Sequence, residues 1–165
     1  MGHDAVIAAL KALSKVELLS IPMKVHIDHL KTENDRVCII LAASMIEESL
    51  FHAITGTMKG ELSTQERQRI FQFEGPIGRF SSRIRIAQAL GIIDKQTRLM
   101  IETIKEMRNA AAHSHLPITF ITQAIREATA SLAEEKHSSR IIDRPPLGGP
   151  GLVLVDCDLR RHCRR

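Results

Sequence analysis

The apolar residues of this chain recur three and four positions apart, stretch after stretch, and hardly anywhere alternate. The longest clean run passes from Ile93 through Thr97, Met100, Ile104 and Met107 to Ala111. At about 100° per residue this spacing gathers one stripe on a helix, whereas a strand would scatter the same side chains over both faces. A chain patterned this way buries its apolar surface by packing helix on helix.

Punctuation along the chain divides it into candidate helices. Residues 4–20 carry Val6, Leu10, Leu13 and Glu17 at helical spacing, Pro22 ends or restarts that helix, and a short helix to about Leu30 follows. Asn34 or Asp35 can cap the next helix, in which Val37, Ile40, Leu41, Ser44, Met45 and Glu48 wrap so much apolar surface that it should be the central element, ending at Gly56. Ser63 with Glu66 makes a capping-box pattern for a helix towards Phe73, which Gly75-Pro76 stops. Phe80, Ile84 and Ala87 mark a helix over 80–90, with Gly91 where a left-handed C-cap belongs, and Asp94 caps the long helix that follows. A last helix over about 117–137 carries Phe120, Ile121, Ala124, Ile125, Ala128 and Leu132, after which the Pro/Gly run 145–151 cannot propagate a helix. The expectation is an all-α, single-domain bundle of about six helices over residues 1–142, with a Pro/Gly-rich, Arg-rich and disordered tail at 143–165.

The 165 residues suffice for one domain with a real core. Aromatic residues make up 3% and all are Phe, so Leu, Ile, Val, Ala and Met must fill that core, and stacking of bases on an aromatic platform is not a strong expectation. The net charge of +4 divides unevenly: five Arg and two Asp from Arg144 onward supply +3, which leaves +1 on residues 1–143. So nearly neutral a body argues against a basic stripe that reads duplex DNA.

Cys38 falls in an apolar helical run while Cys157 and Cys163 fall in the tail, which gives no disulfide framework and suits a reducing cytoplasm. The N-terminal residues lack the charged-then-apolar pattern of a signal peptide. The longest apolar run, 37–46, is short of the roughly 20 residues of a membrane span. No membrane segment is expected.

One run looks like a chemical site: Arg108-Asn109-Ala110-Ala111-Ala112-His113-Ser114. A fixed cation and an imidazole that titrates near neutrality are a minimal set for handling a phosphodiester. On a regular helix Asn109 and His113 point within roughly 40° of each other, and Arg108 about 140° from His113. Asn109 can therefore orient the imidazole, and Arg108 joins it only if the helix ends, the side chain folds round or a second copy faces it. The structural alternative makes His113 a helix-end histidine and Arg108 the ion-pair partner of Glu47 or Glu48, with Arg36 and Arg83 as rivals for those carboxylates.

Other candidates read as structural. Asp35-Arg36 suits a helix start with a fixed salt bridge, and 75–80 suits a turn with Phe80 as anchor; its glycines could approach a phosphate, but no P-loop lysine follows. His26 and His29, or Cys157, His162 and Cys163, do not close a zinc pattern, so neither metal nor cofactor is expected. No nucleophile with an adjacent base is legible.

Between Asn34 and Ser114 the chain resembles the mannitol operon repressor family. The likeness rests on Asn34-Asp35-Arg36, on Gly75-Pro76-Ile77-Gly78-Arg79-Phe80-Ser81-Ser82-Arg83-Ile84, on Ala87-Gln88-Ala89-Leu90-Gly91-Ile92-Ile93, and on Arg108-Asn109 followed by His113-Ser114. That resemblance implies an all-helical regulator of sugar-alcohol transport operons without a helix-turn-helix. Such a protein would act through a protein partner rather than by direct, sequence-specific DNA reading. The Arg108 to His113 spacing is also similar to the signature of HEPN domains. That second likeness implies a metal-independent ribonuclease whose Arg and His converge at a homodimer cleft, with RNA as the partner and Asn109 as the polar residue after the Arg.

Overall fold

A computed structural model describes residues 3–13, 22–58, 60 and 62–135. Among them lie seven helices and no strand, one for each segment that the punctuation marked and one more than the overall expectation of about six: α1 (His3–Leu13), α2 (Met23–Thr32), α3 (Asp35–Thr57), α4 (Thr64–Phe71), α5 (Phe80–Ala89), α6 (Lys95–His113) and α7 (Gln123–Glu135). The protein is all-α. The second half of the first expected helix and the tail at 143–165 lie outside the described residues.

Local chemistry sets most boundaries. Asn34 caps α3 by accepting from the Val37 amide, and Asp94 caps α6 by accepting from the Thr97 amide at 2.7 Å. Ser63 and Glu66 form the complete reciprocal capping box at the start of α4. Gly91 takes φ +69 after α5, the left-handed turn that glycine enters at least cost. Gly56 does not stop its helix, since α3 continues to Thr57.

The final helix starts later than the pattern suggested, at Gln123 rather than near Pro117. Residues between Pro117 and Thr122 are used otherwise: Thr119 donates its amide to the Thr122 hydroxyl, and the Phe120 amide donates to the Asp35 carboxylate 85 positions away. A helix through this segment would have to give up that long-range bond.

Helices α3 and α6 form the spine. The N-terminal half of α3 (Cys38, Ile39, Met45) shares one apolar cluster with Met107 and Ala111 from the end of α6, together with Leu30, Phe120 and Ile125. Its C-terminal half (Leu50, Ile54) shares another with Ile101 from the front of α6, with Phe71 of α4, Phe80, Ile84 and Ala87 of α5, and Ile93. The two helices therefore run antiparallel, which brings the start of α3 beside the end of α6. Leu50, Ile54, Ile84 and Ile101 are fully buried, each contributing about 1.5–3 kcal/mol of apolar burial.

By length and composition α3 could cross a membrane, contrary to the reading of its 37–46 run as too short. Its burial answers to a different cause: it packs against α2, α5 and α6, and Cys38, Ile39, Ala43, Met45, Leu50 and Ile54 are inside. It is the core helix of the bundle.

The turn between α4 and α5 is glycine-dependent because backbone meets backbone there. A Cβ on Gly78 would sit 1.8 Å from the Gln72 carbonyl oxygen, and one on Gly75 would sit 2.3 Å from that of Arg69. Its amides are spent internally, Gly75 on Gln72, Ile77 on Ile70 and Gly78 on Gly75. That leaves the turn as the anchor for buried Phe80 and overturns the phosphate-cradle alternative for its glycines.

Candidate functional site

Arg108, Asn109 and His113 all fall in the last two turns of α6, but the side chains do not assemble as the helical wheel suggested. Asn109 donates to the Glu106 carboxylate at 3.4 Å and accepts from Arg108 at 3.5 Å. It turns back towards the preceding helical turn and does not orient His113. Glu106 is itself held by Lys105 at 2.8 Å, and the hydrogen bonds from Lys105 and then Asn109 keep its carboxyl below its ordinary value.

His113 is exposed at the helix end, with no hydrogen-bond or ion-pair partner among the described residues. That is the position where a helix dipole favours a histidine. Arg108 is half-buried, and no carboxylate lies within ion-pair distance of it among the described residues.

The ion pairs anticipated for Arg108 belong to other residues. Arg83 reaches Glu47 at 3.5 Å, donates to the carbonyls of Ile77 and Phe71, and lies over the Phe51 ring at 5.6 Å. It ties α5 to α3 and to the turn after α4, a role that suits a planar, five-donor side chain. Glu48 lies 3.6 Å from His52 on the same helix. His29 pairs with Glu33, the residue that follows α2, at 2.9 Å.

Asp35 and Arg36 do more than start a helix. The Asp35 carboxylate accepts the Phe120 amide at 2.8 Å, while Arg36 donates to the carbonyls of Ser114 and Leu116. The expected salt bridge is thus replaced by a clamp: acid and base on the first turn of α3 grip the donor and acceptors of the segment leaving α6. The antiparallel spine makes this possible, because it places the first turn of one helix against the exit of the other.

The segment so held presents apolar side chains outward. Leu116 is 72% exposed and Ile121 is 77% exposed, on either side of the buried Phe120. His113 and His115 lie exposed on the same chain exit. Sequence reasoning placed Ile121 in a helix and did not single out Leu116. The one available signal was the Asp35-Arg36 pair at a helix start, which has two charged hydrogen-bonding groups and no local need for both.

No family model, no curated protein and no solved structure matches this chain.

Proposed function

We propose that this protein is a cytoplasmic, homodimeric regulator that acts by binding another protein, as the resemblance to the mannitol operon repressor family implies. The observation that carries the reading is the clamped segment 114–122: long-range hydrogen bonds from Asp35 and Arg36 fix a loop that exposes Leu116 and Ile121. Large apolar side chains held rigidly in water at a loop are what a partner's pocket takes at low ordering cost. In this reading Arg108 and His113 flank the docking loop and supply polar rim contacts.

A second reading has one observation in its favour. Among the described residues Arg108 has no carboxylate partner and the His113 side chain no partner, which suits contact with a phosphodiester, as a HEPN-type ribonuclease at a dimer cleft would require.

One set of variants separates them. Leu116→Ser with Ile121→Ser, and separately His113→Ala, are introduced into the source cell, and transcript levels are compared with those after deletion of the gene. The regulator reading expects the loop variant to mimic the deletion and His113→Ala to resemble wild type. RNA cleavage by the purified chain in excess EDTA, lost in a folded His113→Ala variant, would replace it with the ribonuclease.

A further inference from the structure

The near-neutral charge of the body conceals a local excess. Residues 64–90 hold five arginines (Arg67, Arg69, Arg79, Arg83, Arg85) against Glu66 and Glu74, a net +3, so the remainder of residues 1–143 carries −2. Arg83 is neutralised by Glu47, and Glu66 is occupied by Ser63 in the capping box. The other four arginines are exposed, and none has a carboxylate within ion-pair distance among the described residues.

Between Arg69 and Arg79 in the chain stands Phe73, 73% exposed at the head of the turn that the glycine contacts lock against α4. The Arg79 guanidinium lies 5.4 Å from its ring centroid, and the turn packs directly on the Arg69 carbonyl. Gln65, Gln68 and Gln72 of this unit are exposed as well. A solvated aromatic face, guanidinium groups beside it and amides around it offer a flat group something to stack on and phosphates something to pair with.

We propose that α4 and its turn into α5 bind single-stranded nucleic acid, with Phe73 stacking on a base and Arg67, Arg69 and Arg79 pairing with the backbone. This goes beyond the regulator reading and uses a surface built from different residues than the 114–122 loop. A duplex keeps its bases stacked away from a single protruding ring, and the carboxylates of an acidic peptide would pair with the guanidinium groups without covering it. Single-stranded chain satisfies both features at once.

The test is fluorescence anisotropy with a labelled oligouridine of about 20 nucleotides at about 50 and about 200 mM salt. It uses the full chain with Arg160, Arg161, Arg164 and Arg165 exchanged for Gln, so that the tail adds no polycation. Phe73→Ala should weaken binding about 5-fold or more, the low end for loss of one base–aromatic stack. Phe73→Leu should lose as much, and Phe73→Tyr should retain binding, because a ring rather than apolar area is needed. Arg67→Gln with Arg69→Gln and Arg79→Gln should lower the slope of log affinity against log salt by about 2. These side chains are exposed, and circular dichroism checks that each variant is folded. No binding at the lower salt, Phe73→Leu binding like the parent, or equal displacement by a polyglutamate of matched charge would each overturn the proposal.

Discussion

The Asp35 clamp is the contact whose removal most directly tests how the exposed loop is held. Asp35→Ala deletes a charge-assisted hydrogen bond of 2.8 Å to the amide of Phe120, a residue that is only 8% exposed. Hydrogen bonds to charged groups contribute about 1.5–3 kcal/mol, and a buried amide left without an acceptor keeps its full desolvation penalty. Loss of a carboxylate from the first turn of α3 costs a further 0.3–1 kcal/mol or roughly so through the helix dipole. Because the site is half-exposed and water can reach part of it, the total loss should be about 2 kcal/mol. At roughly 2–4 °C per kcal/mol for a domain of this size, the midpoint should fall by about 4–8 °C. Asp35→Asn keeps an acceptor and should recover about half of the loss. Thermal unfolding by circular dichroism measures the cost, and hydrogen exchange at the Phe120 amide reports its location. If Asp35→Ala melts with the wild type and leaves that amide equally protected, the clamp does not hold the loop, and residues 114–122 are not a rigid docking surface.

Glycine positions give opposite outcomes according to their surroundings. Gly78→Ala must drive a Cβ into the Gln72 backbone and should cost about 2–4 kcal/mol in urea denaturation, while Gly56→Ala, in open space near the end of α3, should be neutral or stabilise by up to about 1 kcal/mol. Acid should weaken the fold through the helix caps. The Thr97 amide holds the Asp94 carboxyl below its ordinary value, so its contribution is complete above the unfolded pKa and is lost as pH falls through the folded one, below about pH 4. Asp94→Asn should flatten this part of the acid limb in urea titrations between pH 5 and 2 or thereabouts; an unchanged pH slope would deny the cap its role. In the core, Ile101→Ala empties a fully buried position where α6 meets α3 and α5, and should cost about 2–5 kcal/mol in denaturant titration.

Periodicity and capping chemistry made the helices legible because both are local: Asn34, Ser63, Gly91 and Asp94 act on residues within a few positions, and their structural roles match the patterns that announced them. The candidate site was less legible for the same reason. Helical spacing placed Asn109 beside His113, but a side chain bonds to whatever its rotamer reaches, and Glu106 one turn earlier was there to accept. Glu47 needed an arginine, and only the packing of α5 on α3 decided that Arg83 rather than Arg108 would supply it.

The sequence by itself determined an all-helical chain and the termini where its caps sit, since these follow from residue spacing and from hydrogen bonds a few residues long; the buried faces follow it only in part, for Ile101 is fully buried outside the expected stripe of α6 while Val6 and Leu10 of α1 are exposed. Tertiary structure alone decided that α3 and α6 run antiparallel, so that Asp35 and Arg36 meet a segment some 80 positions away, and that Leu116, Ile121 and Phe73 face water. Exposure and long-range pairing depend on which surfaces the other helices leave uncovered, and that is a property of the packed bundle rather than of any stretch of it.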